Sequence, residues 1–260
     1  MNRLVVWLVA ALVVMALVGP WLIGPEGLEI NLKLDLKGLE AGRLGYGENG
    51  FDVLTWLIYG ARVSLFIALT CTVISLVIGI AYGSISAYVG GIFDAFLMRC
   101  VDVLMAFPGI LLALYIAAVL KPGVGNLIIA LCSTGWVGYA RVARSQVLAV
   151  KEQDFVMAAI ALGASPFRVL FRHIVPNILG PLWVQASFGI SALILAEASL
   201  SFLGLGVPIG TPSWGSLLEQ GVNYLFVAPH LVILPGICIA VSVLLFNFLG
   251  DWLRDARDPQ

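Results

Sequence analysis

From residue 4 to residue 23 the chain runs without one charged side chain. The same holds for residues 63–93, 103–120, 122–140, 174–196 and 231–250. A helix needs about 20 apolar residues to cross the hydrocarbon core of a bilayer. Backbone polar groups in lipid must be satisfied within the segment, so only helices or closed barrels can span. These runs are too uniformly apolar to alternate as barrel strands do. The expectation is an all-α, polytopic membrane protein with about six transmembrane helices. The second run is long enough for a tilted helix that turns at Gly90-Gly91. The fifth continues past Glu197 to about residue 203.

Charged residues make up only 11% of the chain, against about 25% in soluble domains. The net charge of −1 gives no basic excess for nucleic acid. Cys71, Cys100, Cys132 and Cys238 lie within or beside apolar runs and lack metal-ligand spacing. They read as buried thiols, since free cysteine behaves as a small hydrophobe. The first run reads as an uncleaved span, because Pro20 and Trp21 stand where a small-residue cleavage site would fall.

Six spans put both termini on one side. With the N-terminus cytoplasmic, the inside segments hold Arg3, Arg99, Arg141, Arg144, Lys151, Arg168, Arg172, Arg254 and Arg257. The outside segments hold Lys33, Lys37, Arg43, Arg62 and Lys121. Nine against five favours this orientation under the positive-inside rule. Residues 1–61 then form a first span plus an external segment, and 62–260 form the core. No external segment is long enough for a core of its own.

No GxxxxGK[ST] loop is present, so the chain does not bind ATP in that manner by itself. His173 and His230 have no spaced metal partner and no credible nucleophile. Catalysis is not the expected job, and no cofactor or metal is expected.

The cytoplasmic segment 151–176 is ordered in pattern. Phe155, Ala158, Ala159 and Leu162 recur at helical spacing. Gly163 is placed to end that helix, as a C′ glycine does. Ser165 and Pro166 are placed to restart it, as N-cap and N1. Pro176 is expected to close the unit before the fifth span. Pattern alone leaves two readings, an interfacial helix on lipid or a docking knob for a cytoplasmic partner.

Glu197 is the one acid deep in the fifth span, and a lone carboxylate there is costly. It either lines a pathway near the outer gate or is a structural group, held by hydroxyls such as Ser199 or Ser201 or protonated. Asp102 is expected to pair with Arg99. Pro108-Gly109 reads as a packing kink.

The 151–176 segment resembles the EAA loop of ABC importer permeases, whose pattern is E-A-A, three residues, Gly, nine residues, I-x-L-P. Met157, Ala158 and Ala159 stand at the E-A-A positions, and Gly163 and Pro176 at the matching glycine and proline. Met157, His173 and Val175 depart from the pattern's Glu, Ile and Leu. "DVLTWLIYGARVSL" (52–65), "DVLMAFPGILLAL" (102–114), "ILAEASLSFLGLGVP" (194–208), "TPSWGSLL" (211–218) and "NFLGDWLRDARDP" (247–259) also resemble the dipeptide, oligopeptide and nickel importer permeases, C-type subunit. Residues 24–51 depart most, with "GYGENGFD" where that family has "GTDxxGRD".

The resemblance implies the type I ABC importer permease fold with a cytoplasmic coupling-helix loop. It implies half of a translocation path, completed by a related permease subunit in a heterodimer. Two cytoplasmic ATPase subunits would bind ATP, and an external solute-binding protein would deliver peptides or related small solutes. The implied coupling residues are Asp154, Phe155, Met157, Ala158, Ala159, Leu162, Gly163, Ala164, Ser165 and Pro166. The implied location is a bacterial or archaeal cytoplasmic (inner) membrane. A self-contained secondary transporter is the alternative, although such proteins commonly show internal repeats and midplane ion sites.

Overall fold

The computed structural model describes residues 2–38 and 44–256. Arg43, Arg257 and the last residues of the 247–259 motif lie outside them. Helices follow in the order α1 (Asn2–Ile23), α2 (Val53–Val89), α3 (Gly91–Met105), α4 (Gly109–Leu120) and α5 (Val124–Val150). Then come α6 (Asp154–Ala161), α7 (Pro166–Arg168), a π-helical turn (Val169–Ile174), α8 (Val175–Phe202), α9 (Trp214–Asn223) and α10 (His230–Asp255). Short 3-10 turns punctuate the segment between α1 and α2.

Four helical stretches are long and apolar enough to cross a membrane: Leu4–Ile23, Val53–Val89, Pro166–Phe202 and His230–Asp255. α3 and α4 qualify only as a pair, and they meet at 77°. The 103–120 run is therefore not one straight helix. Proline disfavours helical geometry in the residue before it, so α3 ends at Met105 and Pro108 sits at the start of α4. α5 is 27 residues long but less apolar, with Arg141 and Arg144 in its second half.

α2 begins ten residues before the uncharged run that marks it in the sequence. The Asp52 carboxylate accepts the Thr55 N–H at 3.1 Å and caps the helix at Val53. Arginine is a good helix former, so Arg62 does not interrupt it. The boundary drawn at 61/62 falls inside this helix.

α2 packs most extensively on α5. Gly79 and Gly83, one turn apart, let the two backbones approach. A Cβ on Gly83 would meet the Ala140 carbonyl oxygen, and one on Gly79 the Tyr139 Cβ, both far inside contact distance. Such small-xxx-small spacing is the usual device for close helix packing in membranes. Three apolar clusters result. One ties α1, α2, α8, α9 and α10 together through Trp56, Trp214, Leu231 and Phe246. A second joins α2, α5 and α8 to the 151–176 segment. A third lies among α2, α4, α5 and α8. Large apolar side chains such as Trp7, Val77, Ile129 and Leu244 point outward, as a lipid-facing surface requires.

The helix does not stop at Pro176. From Pro166 it continues through the π turn into α8 as far as Phe202. Proline cannot donate to the carbonyl four residues back. The wider turn just before it absorbs the mismatch: the Val175 N–H reaches the Leu170 oxygen, five residues back. The Asn177 side-chain amide donates to the His173 carbonyl at 2.6 Å.

Candidate functional site

The 151–176 segment forms a compact elbow. α6 ends in a Schellman motif: the Ala164 N–H bonds to Ala159 O at 3.1 Å and the Gly163 N–H to Ile160 O at 2.9 Å. Gly163 has φ +80°, a left-handed conformation that most side chains resist. The Ser165 hydroxyl accepts the Arg168 N–H at 3.4 Å, and Pro166 occupies the first turn of the next helix.

Two faces of the elbow differ. Val156, Val169, Leu170 and Ile174 are buried and extend the core of α2, α5 and α8, and Ala159 is buried as well. Phe155, Met157, Ala158, Leu162, Gly163, Ser165 and Pro166 are exposed, with Asp154 at the start of α6. Leu162 is 88% exposed and Phe167 73%, so the tip presents apolar surface to water. Ala164 is half-buried. Ala159, grouped with the exposed positions by spacing, faces the protein interior beside Val156. Spacing finds one helical face but not which neighbour covers it.

Ionic ties fasten the same end of the bundle. The Arg144 guanidinium donates twice to Asp94, Nε to Oδ1 at 2.8 Å and Nη2 to Oδ2 at 2.6 Å. The Ser86 hydroxyl adds a third bond to Asp94 at 2.6 Å. Asp102 pairs with Arg141 of α5 at 2.5 Å, not with Arg99 on its own helix. The reason is geometric. Arg99 and Asp102 share α3, but the antiparallel α5 brings Arg141 directly across. Lys151 donates to the Ala87 carbonyl at 3.4 Å, joining the start of the elbow to α2.

Glu197 lies at the other end of α8. It is 31 residues from Pro166, roughly 45 Å along a helix. It is fully buried. Its carboxylate accepts the Ser64 hydroxyl of α2 and the Ser201 hydroxyl, each at 2.8 Å. The Ser64 oxygen in turn accepts the Trp214 N–H at 3.3 Å, at the N-terminus of α9. The Trp214 indole donates to Leu57 O at 3.1 Å. Ser213 caps α9 in a reciprocal box with Ser216 and also interacts with the carboxylate. A helix N-terminus favours a negative charge nearby. The carboxylate thus pins α2, α8 and α9 together and faces no open pathway in this structure. Ser199 bonds to the Leu195 carbonyl instead. Ser64, Ser213 and Trp214 are partners that the sequence reading missed. Only the capping pattern at Ser213 carried a local signal.

Long apolar helices, outward-facing apolar side chains and a packed elbow continuous with α8 define a multi-pass membrane protein. The chain belongs to the family of binding-protein-dependent transport system inner membrane components, whose model matches residues 75–260. It is 37% identical over 254 residues to the dipeptide transport system permease protein of Alkalihalophilus pseudofirmus, covering 97% of this chain and 84% of that one. It is 41% identical over 218 residues to the oligopeptide transport system permease protein of Bacillus subtilis, covering 83% and 71%. It is 42% identical over 226 residues to the di/tripeptide transport system permease protein of Pseudomonas aeruginosa, covering 85% and 75%. Its fold is similar to a chain of the inward-facing MetNI methionine ABC transporter, with a TM-score of 0.63, 18% identity, and coverage of 77% and 95%. The chain is thus a membrane-spanning permease subunit of an ABC importer and not an enzyme. Family membership sets aside the self-contained secondary transporter.

Proposed function

We propose that this chain forms half of a translocation path for peptides or related small solutes, with a related permease as the other half. Two cytoplasmic ATPases drive it, and an external solute-binding protein delivers the solute. α5 supplies a further span beside the four apolar helices and the bent pair, and both termini lie in the cytoplasm. The peptide class follows from relatives named for dipeptide, oligopeptide and di/tripeptide transport.

The observation that carries this reading is the elbow. Its inner face is continuous with the bundle core, while its outer face leaves Leu162 and Phe167 largely exposed. A partner that grips the tip and moves it must also move α8, because no flexible joint separates them. ATP-driven closure of the ATPases then becomes a tilt of α8 and of the helices tied to it. Residues 154–166 are the coupling surface, with Ala159 supporting it from within.

Gly163→Val tests the reading. A β-branched residue at positive φ is a genuine outlier, so the elbow loses its shape. Expected is a permease that inserts and pairs but neither retains the ATPases nor transports. Gly163→Asn, which tolerates this conformation, keeps both. Wild-type transport by the valine variant would refute the coupling role.

A further inference from the structure

Arg62 stands on α2 ten positions into the helix, with its side chain exposed. Among the described residues it makes no ion pair or side-chain hydrogen bond. An ionisable side chain on a spanning helix is expensive and calls for a partner. The polar neighbour one turn above is already committed, since the Tyr59 hydroxyl donates to the Pro20 carbonyl at 3.2 Å.

Beside Arg62 a groove of about 580 Å³ opens between α1 and α2 and reaches the start of α5. Its walls include Ala16 and Leu17 of α1 and Phe66, Leu69 and Thr70 of α2. Leu17 and Phe66 are each more than half exposed. Tyr59 and Thr70 mark its two ends along α2, about 16 Å apart at 1.5 Å per residue. Half of a hydrocarbon core is about 15 Å. The groove is therefore one leaflet deep, with a guanidinium near one end and hydrocarbon below.

We propose that Arg62 and the α1–α2 groove bind one anionic phospholipid, its phosphate on the guanidinium and an acyl chain along Leu17, Phe66 and Leu69. The planar guanidinium matches phosphate oxygens in a bidentate contact. The long side chain reaches toward the headgroup layer while its stem stays in the groove. A soluble phosphate would leave the apolar walls uncovered. The first helix of a second copy would cover them, but residues 4–23 carry no acid to neutralise Arg62. The bound lipid holds α1, which has little buried surface of its own, against α2.

The test uses the assembled transporter reconstituted in phosphatidylcholine vesicles with or without phosphatidylglycerol. It is then re-extracted and weighed by native mass spectrometry. Wild type is expected to retain one phosphatidylglycerol in preference to phosphatidylcholine. Arg62→Gln is expected to retain it roughly tenfold less, the scale of one charge-assisted contact, and Arg62→Lys to retain part of it. Thr70→Trp fills the groove without touching the charge and is expected to lose the lipid as well. Equal retention by Arg62→Gln and wild type would overturn the proposal. So would equal retention of the two lipids by wild type, or a Leu17→Cys variant that crosslinks to a protein chain in place of a lipid probe.

Discussion

Replacing Glu197 by alanine removes the acceptor of two buried hydroxyls, Ser64 and Ser201, and loosens the chain of bonds that reaches Trp214. Each buried group left unpaired costs about 1–3 kcal/mol. The purified complex of Glu197→Ala is expected to melt several degrees below wild type in a thermal-unfolding assay. Glu197→Gln retains one acceptor oxygen and should fall between them. Equal melting of the alanine variant and wild type would mean the carboxylate holds nothing together. Glu197 stood out in the sequence because it is a lone acid in an apolar run. Ser64, 133 positions away, did not, because nothing local distinguishes it from other hydroxyls on α2.

At the scale of elements, the joint between α2 and α5 is the most demanding contact, because backbone meets backbone at Gly79 and Gly83. Gly83→Leu cannot be absorbed by a flexible side chain, since the atom in the way is the Ala140 carbonyl oxygen. Its expected result is failure to assemble, read as loss of the permease peak in size-exclusion chromatography, whereas Val77→Leu on the exposed face assembles normally. The Asp94–Arg144 tie makes a second prediction. Breaking a fully buried pair by removing one partner costs about 3–5 kcal/mol. Arg144 remains 34% exposed, so the cost here should be smaller. Asp94→Asn alone should destabilise more than Asp94→Asn combined with Arg144→Gln, because the double variant leaves no unpaired charge. Thermal melts of the three proteins decide this.

Much of the elbow was legible at this scale. Gly163, Ser165 and Pro166 act through local backbone chemistry, and local chemistry is what a sequence displays. Elements that depend on tertiary context were not legible. The π turn relieves Pro176 without any residue-type signature. The 77° bend between α3 and α4 exceeds a kink that packing alone would explain from Pro108. Asp102 met Arg141 because α5 folds back antiparallel, which no spacing within α3 reveals.

For the whole molecule, the orientation and the coupling direction belong together. The elbow and Glu197 sit at opposite ends of α8, so movement imposed at one end reaches the pinned α2–α8–α9 joint at the other. Cysteines placed at Leu162 and Ile209, both highly exposed, report the two sides. A membrane-impermeant thiol reagent added outside intact cells is expected to label position 209 and not 162. The reverse pattern would invert the topology.

The most direct measurement is photo-crosslinking from a reactive side chain placed at Leu162 in membranes containing the complete transporter. An adduct with an ATPase subunit, lost on detaching the ATPases and absent from position 209, is the expected result. No ATPase adduct from position 162, in a complex that still transports, would contradict the coupling role of the elbow.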